Sequence, residues 1–406
     1  MNGCVVQKFG GSSVASAELI QRVAKRIAAT RRERERVVVV VSAMGDSTDE
    51  LLSLAHKVNP APTSREMDQL LSTGETITAP LMAMALERLG VAAISLTGLQ
   101  AGIRTSKIHR SARIIDIVPQ RIVDELGRGK VVVVAGFQGA TEELDITTLG
   151  RGGSDTTAVA LAVELKAERC EIYTDVTGVY TADPRLEPRA RPIPEIAYSE
   201  MLEFAAVGAK VMHPRAVEIG ETYSMPIVVR STFEDHPGTL ICQHPTMEDR
   251  QKIRGIAHDT GVAKVILTRV PDRPGIAAQV FGPLGEAGIN VDIIVQNVSH
   301  DGYTDLSFTI AEDDLPRARP LLERVASAVG AEHIDTDTGI ATVSVVGTAF
   351  LGSPGMFARI FRALAAEDIN VEQITTSQIH VTVIIDRDRV TAAVRALHAE
   401  FELDLD

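Results

Sequence analysis

Residues 37–41 are five consecutive valines, and no other stretch limits the fold so sharply. Branching at Cβ restricts valine in a helix but suits a pleated surface, so the run reads as a strand. Polar residues do not alternate with the valines. Both faces of the strand are therefore covered, the condition of a mainly parallel sheet flanked by helices.

The surrounding sequence supplies the rest of such a sheet. Strands are expected at 5–9, 91–96, 131–135, 171–174 and 227–230, the last closing the series. Helical patterns lie between them. One spans 15–32, with Leu19, Val23 and Ile27 on one face; another spans 66–89, in two pieces around Pro80; a third spans 156–166. This alternation over 1–245 is an α/β layout. Residues 243–252, QHPTMEDRQK, carry no periodicity and read as a linker.

An internal repeat follows. At an offset of 80 positions Pro274-Gly275 matches Pro354-Gly355, Ala278 matches Ala358, and Phe281 matches Phe361. Leu284 then matches Leu364, Ile289-Asn290-Val291 matches Ile369-Asn370-Val371, and Ile294 matches Ile374. Each copy reads strand, Pro-Gly turn, amphipathic helix, strand, hairpin partner and second helix, a ferredoxin-like βαββαβ unit. The expected division is a catalytic domain over 1–245, a linker with a candidate extra strand over 246–261, and repeat units over 262–337 and 338–406. The second unit ends near Phe401 without an evident last strand, and 253–258 is the candidate to supply it. Gly275 and Gly355 sit where strand meets helix, a place from which backbone N–H groups can hold a small anion. A plain helix start would look the same in one copy; two aligned copies favour a ligand-sensing pair.

Net charge is −13, which argues against broad nucleic-acid binding. An anionic substrate must then be drawn in by a few placed cations and backbone dipoles. No apolar stretch reaches the roughly 20 residues of a membrane helix, and no basic-then-apolar leader opens the chain. Cys4, Cys170 and Cys242 are too scattered for a disulfide framework or zinc cluster. A reduced cytoplasm is the expected compartment, with no resident metal site.

Lys8-Phe9-Gly10-Gly11-Ser12-Ser13 ends the first strand with a lysine and opens a turn that lets the backbone approach an anion. Its order is the reverse of the common G-x-x-x-x-G-K-[ST] loop. Ser42-Ala43-Met44-Gly45-Asp46-Ser47-Thr48 follows the valine strand, where open α/β sheets bind ligands; Asp46 or Thr48 could equally cap the next helix. Glu75 in Thr73-Gly74-Glu75 faces either the ligand crevice or, the ordinary case for one glutamate, solvent.

Leu149-Gly150-Arg151-Gly152-Gly153-Ser154-Asp155 sets glycines around an arginine that can grip a carboxylate bidentately. Asp155 could cap the helix, hold an ammonium or order a lysine. Thr174-Asp175, with Tyr180 and Arg185 in the loop beyond, suits a nucleotide's base and phosphates, and Lys210 adds a cation. Only nine of the 41 basic residues are lysine, which makes Lys8 and Lys210 conspicuous. His213 reads as a structural histidine.

In order and spacing, KFGGSSV, SAMGDSTD, STGE, GRGGSDTTA, TDVTGVYTADPR and GAKVMHP resemble the aspartate kinase family within the amino-acid kinase fold. The paired repeats look like that family's two ACT domains. The resemblance covers nearly the whole chain. It implies that ATP, with Mg²⁺, phosphorylates the side-chain carboxylate of L-aspartate, the step that begins lysine, threonine and methionine synthesis. Position by position, it implies that Lys8, Phe9, Gly10 and Gly11 contact ATP phosphates and that Thr174, Asp175, Tyr180, Arg185 and Lys210 bind the nucleotide. Ser42, Thr48, Glu75, Arg151 and Ser154 would surround aspartate. Lys8 and Asp155 would be the catalytic pair. The chemistry is consistent: a carboxylate of pKa about 3.9 is already ionised at neutral pH, so positioning and cations are needed rather than a base.

The resemblance further implies an amino-acid effector site. Asp272, Ala277, Asn290, Asp292 and Gln296 of the first repeat would face Met356, Phe357, Asn370, Val371, Ser377 and Gln378 of the second. Threonine, lysine or both are the expected effectors. The second repeat reads FLGSPGM, without the histidine common before its Pro-Gly, and Gln378 stands where an acidic residue is common. Met247 resembles the internal start from which some relatives make a separate regulatory subunit, so a homo-oligomer or an α₂β₂ assembly is expected. The alternatives are a kinase of glutamate, acetylglutamate or a nucleotide, and a non-catalytic amino-acid sensor, against which Lys8, Arg151 and Asp155 argue.

Overall fold

The computed structural model describes residues 3–209, 211–243, 253–297, 301–350 and 355–405. Lys210 and Met247, both singled out above, lie outside them, as does most of the linker. The chain forms two compact units. One comprises Met1–Tyr180, Pro192–Ala206 and Lys210–Arg250; the other comprises Thr181–Arg191, Val207–Ala209 and Gln251–Asp406.

In chain order the strands of the first unit are β1 (Cys4–Phe9), β2 (Arg36–Val41), β3 (Ala93–Leu96), β4 (Ile103–Thr105), β5 (Ile114–Ile117), β6 (Val131–Ala135), β7 (Gln138–Ala140), β8 (Ile146–Thr148), β9 (Arg169–Thr174), β10 (Glu195–Ala197), β11 (Ile227–Ser231) and β12 (Thr239–Cys242). Its helices are α1 (Ala17–Glu33), α2 (Ser47–Val58), α3 (Ser64–Leu71), α4 (Thr73–Arg88), α5 (Gln120–Gly127), α6 (Gly153–Glu164), α7 (Tyr198–Ala206) and α8 (Pro214–Thr222). Among the described residues an eight-stranded sheet runs β10-β12-β11-β9-β1-β2-β6-β3. Its pairings are parallel except β11 with β12.

The valine run divides as period 2 requires. Val37, Val39 and Val41 join Val5, Phe9, Val131 and Val133 in a core with Ile20, Val23 and Ile27 of α1 and Met82 and Leu86 of α4. Val38 and Val40 face the other way, alongside Val6, Val132 and Val134, and all five are fully buried. Lys8, two residues after Val6, shares this second face, where α6 packs on β1, β2 and β9. After β1 the chain steps to β2, β6 and β3 on one side, while β9 and β11 lie on the other. The order of strands therefore reverses between β1 and β9, and open sheets of this kind take ligands beyond the strand ends at that place.

Local departures from the sequence reading have local causes. The 66–89 helix breaks at Ser72, not Pro80, which lies inside α4. Ser72 Oγ and Thr73 Oγ1 bond back to the carbonyls of Gln69 and Leu70, in competition with the helix. Gly74 lies against Ala43 so closely that a Cβ on it would come within 2.7 Å of the Ala43 Cβ. Strand β11 does not close the series, since β12 returns antiparallel to it. A second sheet, β5-β4-β7-β8, went unread because its strands are three or four residues long.

In the second unit the strands are β13 (Gly255–Asp259), β14 (Val262–Pro271), β15 (Ile294–Gln296), β16 (Tyr303–Ala311), β17 (His333–Asp337), β18 (Ile340–Val346), β19 (Gln373–Thr376) and β20 (His380–Asp386). Its helices are α9 (Ile276–Glu286), α10 (Leu315–Val329), α11 (Met356–Ala366) and α12 (Val390–Glu400). They form two antiparallel four-stranded sheets, β15-β16-β14-β17 and β13-β18-β20-β19, each with two helices. In the second sheet β13, from ahead of the first repeat, is one of the two outer strands, with Ile256 opposite Val345. Gly275 and Gly355 both take the left-handed conformation at helix starts, φ 89° and 91°. The segment Thr181–Arg191 belongs here: Ala182 is in the core with Val394 and Leu397, and Thr181 O accepts from Ile256 N at 2.7 Å.

Candidate active site

Lys8 leaves the end of β1 on the α6 face, and its Nζ stands 2.6 Å from Asp155 Oδ1 in the first turn of α6. Both side chains are about nine-tenths buried, at 12% and 10% exposure. The opening turn is closed by Gly10 N donating to Tyr173 O at 3.2 Å, which ties the β1 and β9 loops together. A Cβ on Gly10 would sit 3.4 Å from the Lys8 ammonium, and one on Gly11 3.0 Å from Ala43 O. Glycine therefore lets the first loop lie against both the lysine and the Ser42–Gly45 loop.

That second loop is fixed from below. Ser42 N donates to Phe9 O, and Gly45 N to Gly11 O, each at 3.1 Å. Glu75, at the start of α4, is 3% exposed, so the solvated reading fails. Its Oε1 accepts from Ala43 N at 3.1 Å, while Oε2 is buried with no hydrogen-bond partner among the described residues. Burial pushes its pKa from 4.5 to about 7, against the two backbone N–H groups that lower it. Thr48 lies in the first turn of α2; Asp46 holds the N-cap position without a side-chain capping bond.

The arginine loop enters α6 through Gly152, the N-cap, at φ 66°. Asp155 is therefore not the cap. Its carboxylate is free of that duty and faces Lys8 instead. A Cβ on Gly152 would lie 2.2 Å from the Cβ of His213. Ser154 is buried, and its Oγ would be 2.8 Å from a Cβ on Gly136, at the end of β6. The ends of β1, β2 and β6 and the starts of α4 and α6 thus converge. The α6 N-terminus adds the positive end of its dipole.

Of the nucleotide candidates, Thr174 and Asp175 follow β9, with Thr174 Oγ1 donating to Asp175 Oδ1 at 2.9 Å. The Tyr180 hydroxyl bonds Thr177 Oγ1. Phe9 departs from expectation: its ring is fully buried and stacked on Tyr173, centroids 4.7 Å apart, so only its backbone can meet a ligand. Arg185 belongs to the second unit, where it pairs with Asp183 at 2.7 Å.

Among effector candidates Asp272, Ala277, Asn290, Asp292, Gln296, Phe357, Asn370, Ser377 and Gln378 are exposed and Val371 is half-buried. Met356 is buried in the second repeat's core and can offer a ligand only backbone.

His213 is the structural histidine the sequence suggests, capping α8, whereas sequence reasoning missed Arg215. The His213 ring packs on Gly152 and its Nδ1 accepts from Arg215 N at 3.3 Å. Arg215 donates to Leu149 O at 2.7 Å and Ala112 O at 2.9 Å. The dipeptide before Pro214 signals a helix start, but nothing in it shows which loop the helix will meet.

The family model of the amino acid kinase family matches residues 3–231, and ACT domain models match 264–327 and 343–401. The chain is 50% identical over 405 residues to an aspartokinase of Mycolicibacterium smegmatis, covering 98% of this chain and 96% of that protein. It resembles the structure of E. coli aspartokinase III in complex with aspartate and ADP (R-state), with TM-score 0.82 and 26% identity over 98% of this chain and 99% of the other. The same enzyme in complex with lysine and aspartate (T-state) aligns with TM-score 0.77 and 25% identity, over 98% and 100%.

Proposed function

Since the chain belongs to the aspartokinases of the amino acid kinase family, we propose that its site works through the residues gathered at the ends of β1, β2 and β6. The reaction is transfer of the ATP γ-phosphoryl group to the side-chain carboxylate of L-aspartate, giving 4-phospho-L-aspartate. The observation that carries the assignment is the nearly buried Lys8–Asp155 pair, 2.6 Å apart at the strand-order switch.

The attacking carboxylate is ionised at neutral pH, so the barrier is repulsion between two anions. Lys8 and the α6 N-terminus meet the phosphoryl group as its charge spreads in the transition state. Gly10 and Gly11 let backbone N–H groups close on the phosphates, and Thr174, Asp175, Tyr180 and Lys210 hold the nucleotide. Arg151 grips a substrate carboxylate, with Ser42, Thr48 and Ser154 around it. Glu75 Oε2 takes the substrate ammonium in this reading, which its burial without a partner supports. Asp155 holds Lys8 in position. Asp155, the one buried carboxylate beside Lys8, would meet a Mg²⁺ carried in on the nucleotide, and the ion would supply neutralisation of phosphate charge.

An amino acid, lysine or threonine, binds the exposed Asn290 and Asn370 faces of the ACT units. The left-handed Gly275 and Gly355 helix starts support this by presenting backbone N–H groups in both copies. The subunits assemble as a homo-oligomer or as α₂β₂ with a chain begun at Met247; intact mass of protein from its own host decides between them. No described helix is long and apolar enough to cross a membrane.

An ATP- and Mg²⁺-dependent hydroxamate assay tests the substrate. Product with aspartate is expected; product with glutamate alone would assign another kinase of the family. Adding lysine and threonine singly and together identifies the effector.

A further inference from the structure

Asp68 stands on α3 and is fully buried. Its carboxylate accepts from Thr148 Oγ1 at 2.6 Å and from Arg110 N at 2.9 and 3.1 Å, and lies 2.9 Å from His109 Nδ1. Burying a carboxylate is costly unless its partners require it. Two of these partners, Thr148 and Arg110, flank Gly150, the residue before Arg151. Thr148 ends β8 two residues earlier. Arg110 is held in the left-handed region, φ 67°, and its carbonyl lies 3.0 Å from where a Cβ on Gly150 would be. Ala112 N donates to Thr148 O at 2.9 Å, so the two segments are joined side by side.

We infer that Asp68 is a positioning residue for aspartate binding: by tying the His109-Arg110 turn to Thr148 it sets where the Arg151 guanidinium stands. Arg215 also holds the same pair of segments, through Leu149 O and Ala112 O. Asp68 touches no reacting group. Its charge acts through two hydrogen-bond routes that meet at Gly150. This rests on Arg151 being the residue that grips the substrate.

Steady-state kinetics of the full-length enzyme with both substrates, beside thermal melting, test it. Asp68→Asn keeps the shape but leaves one acceptor oxygen where two stood, so that either Thr148 or the His109-Arg110 turn faces an amide NH₂ instead. It should raise KM for aspartate about tenfold and leave KM for ATP within about twofold. Thr148→Val should act in the same direction, and Thr148→Ser should restore the aspartate KM. In an Arg151→Lys background, Asp68→Asn should add less than about twofold. Lower stability with both KM values unchanged, or shifted together, would overturn the inference, as would full multiplication of the two effects. Should Asp68→Asn not fold, the Thr148→Val and Thr148→Ser pair decides alone. If Arg151→Lys raises the aspartate KM while the Asp68 and Thr148 variants do nothing, only this inference fails. If Arg151→Lys itself leaves it unchanged, the reading of Arg151 fails first.

Discussion

Glu75→Gln is the perturbation for which the structure supplies a magnitude. The folded carboxyl holds its proton up to about pH 7, against 4.5 when unfolded. Between those values the native state binds more protons than the unfolded chain, so the wild type loses stability as pH rises through that window. The displacement, 7 − 4.5, is about 2.5 pH units, and at about 1.4 kcal/mol each it amounts to about 3–4 kcal/mol. Glutamine cannot ionise, yet it keeps an oxygen for the Ala43 N–H. The variant and wild type should melt together near pH 4.5. Above pH 7.5 the variant should be more stable by about 3–4 kcal/mol, or about 6–16 °C in the transition of the first unit. Differential scanning calorimetry across pH 4.5–8.5 gives both curves. The same variant should bind aspartate worse, because an amide cannot pair with the substrate ammonium. A melting difference that is constant across the range would refute the reasoning: Glu75 would then be ionised throughout, with a partner for Oε2.

Other outcomes follow from single contacts. Lys8→Ala should lower kcat by about a thousandfold and cost about 3 kcal/mol by leaving Asp155 buried without its cation; adding Asp155→Asn should recover stability but no turnover. Gly152→Ala should destabilise the first unit by at least about 2 kcal/mol, since φ 66° and a Cβ 2.2 Å from His213 are both refused, as a melting curve will show. His398 is fully buried against Thr181 Oγ1 at 3.0 Å, and burial lowers its pKa below 6.5. Its contribution to stability is thus present at neutral pH and lost as pH falls below 6.5. His398→Gln should flatten that part of the acid unfolding profile, read by circular dichroism.

Much of the molecule was legible because its signals are local. Five valines require a strand covered on both faces, and β2 has helices on each. An 80-residue offset requires two like units, and the exposure patterns of 281–296 and 361–376 coincide. Glycine beside lysine and arginine marks loops that must approach an anion. Other features were silent. Nothing in Asp68 or Arg215 distinguishes them from surface charges, because what they bind lies 40 to 100 residues away in the chain. Strands of three residues carry too little pattern to be read.

The sequence alone determined the α/β sheet, the paired repeats and the chemical types of the site, since periodicity and short motifs are properties of neighbouring residues. Tertiary structure decided the rest. It put Lys8 against Asp155 by giving β1 and α6 a common face, and buried Glu75 so that its charge depends on pH. It turned the Phe9 ring into the core and drew Thr181–Arg191 into the second unit. Each of these depends on which surfaces meet, and desolvation and contact between distant segments have no counterpart in local sequence.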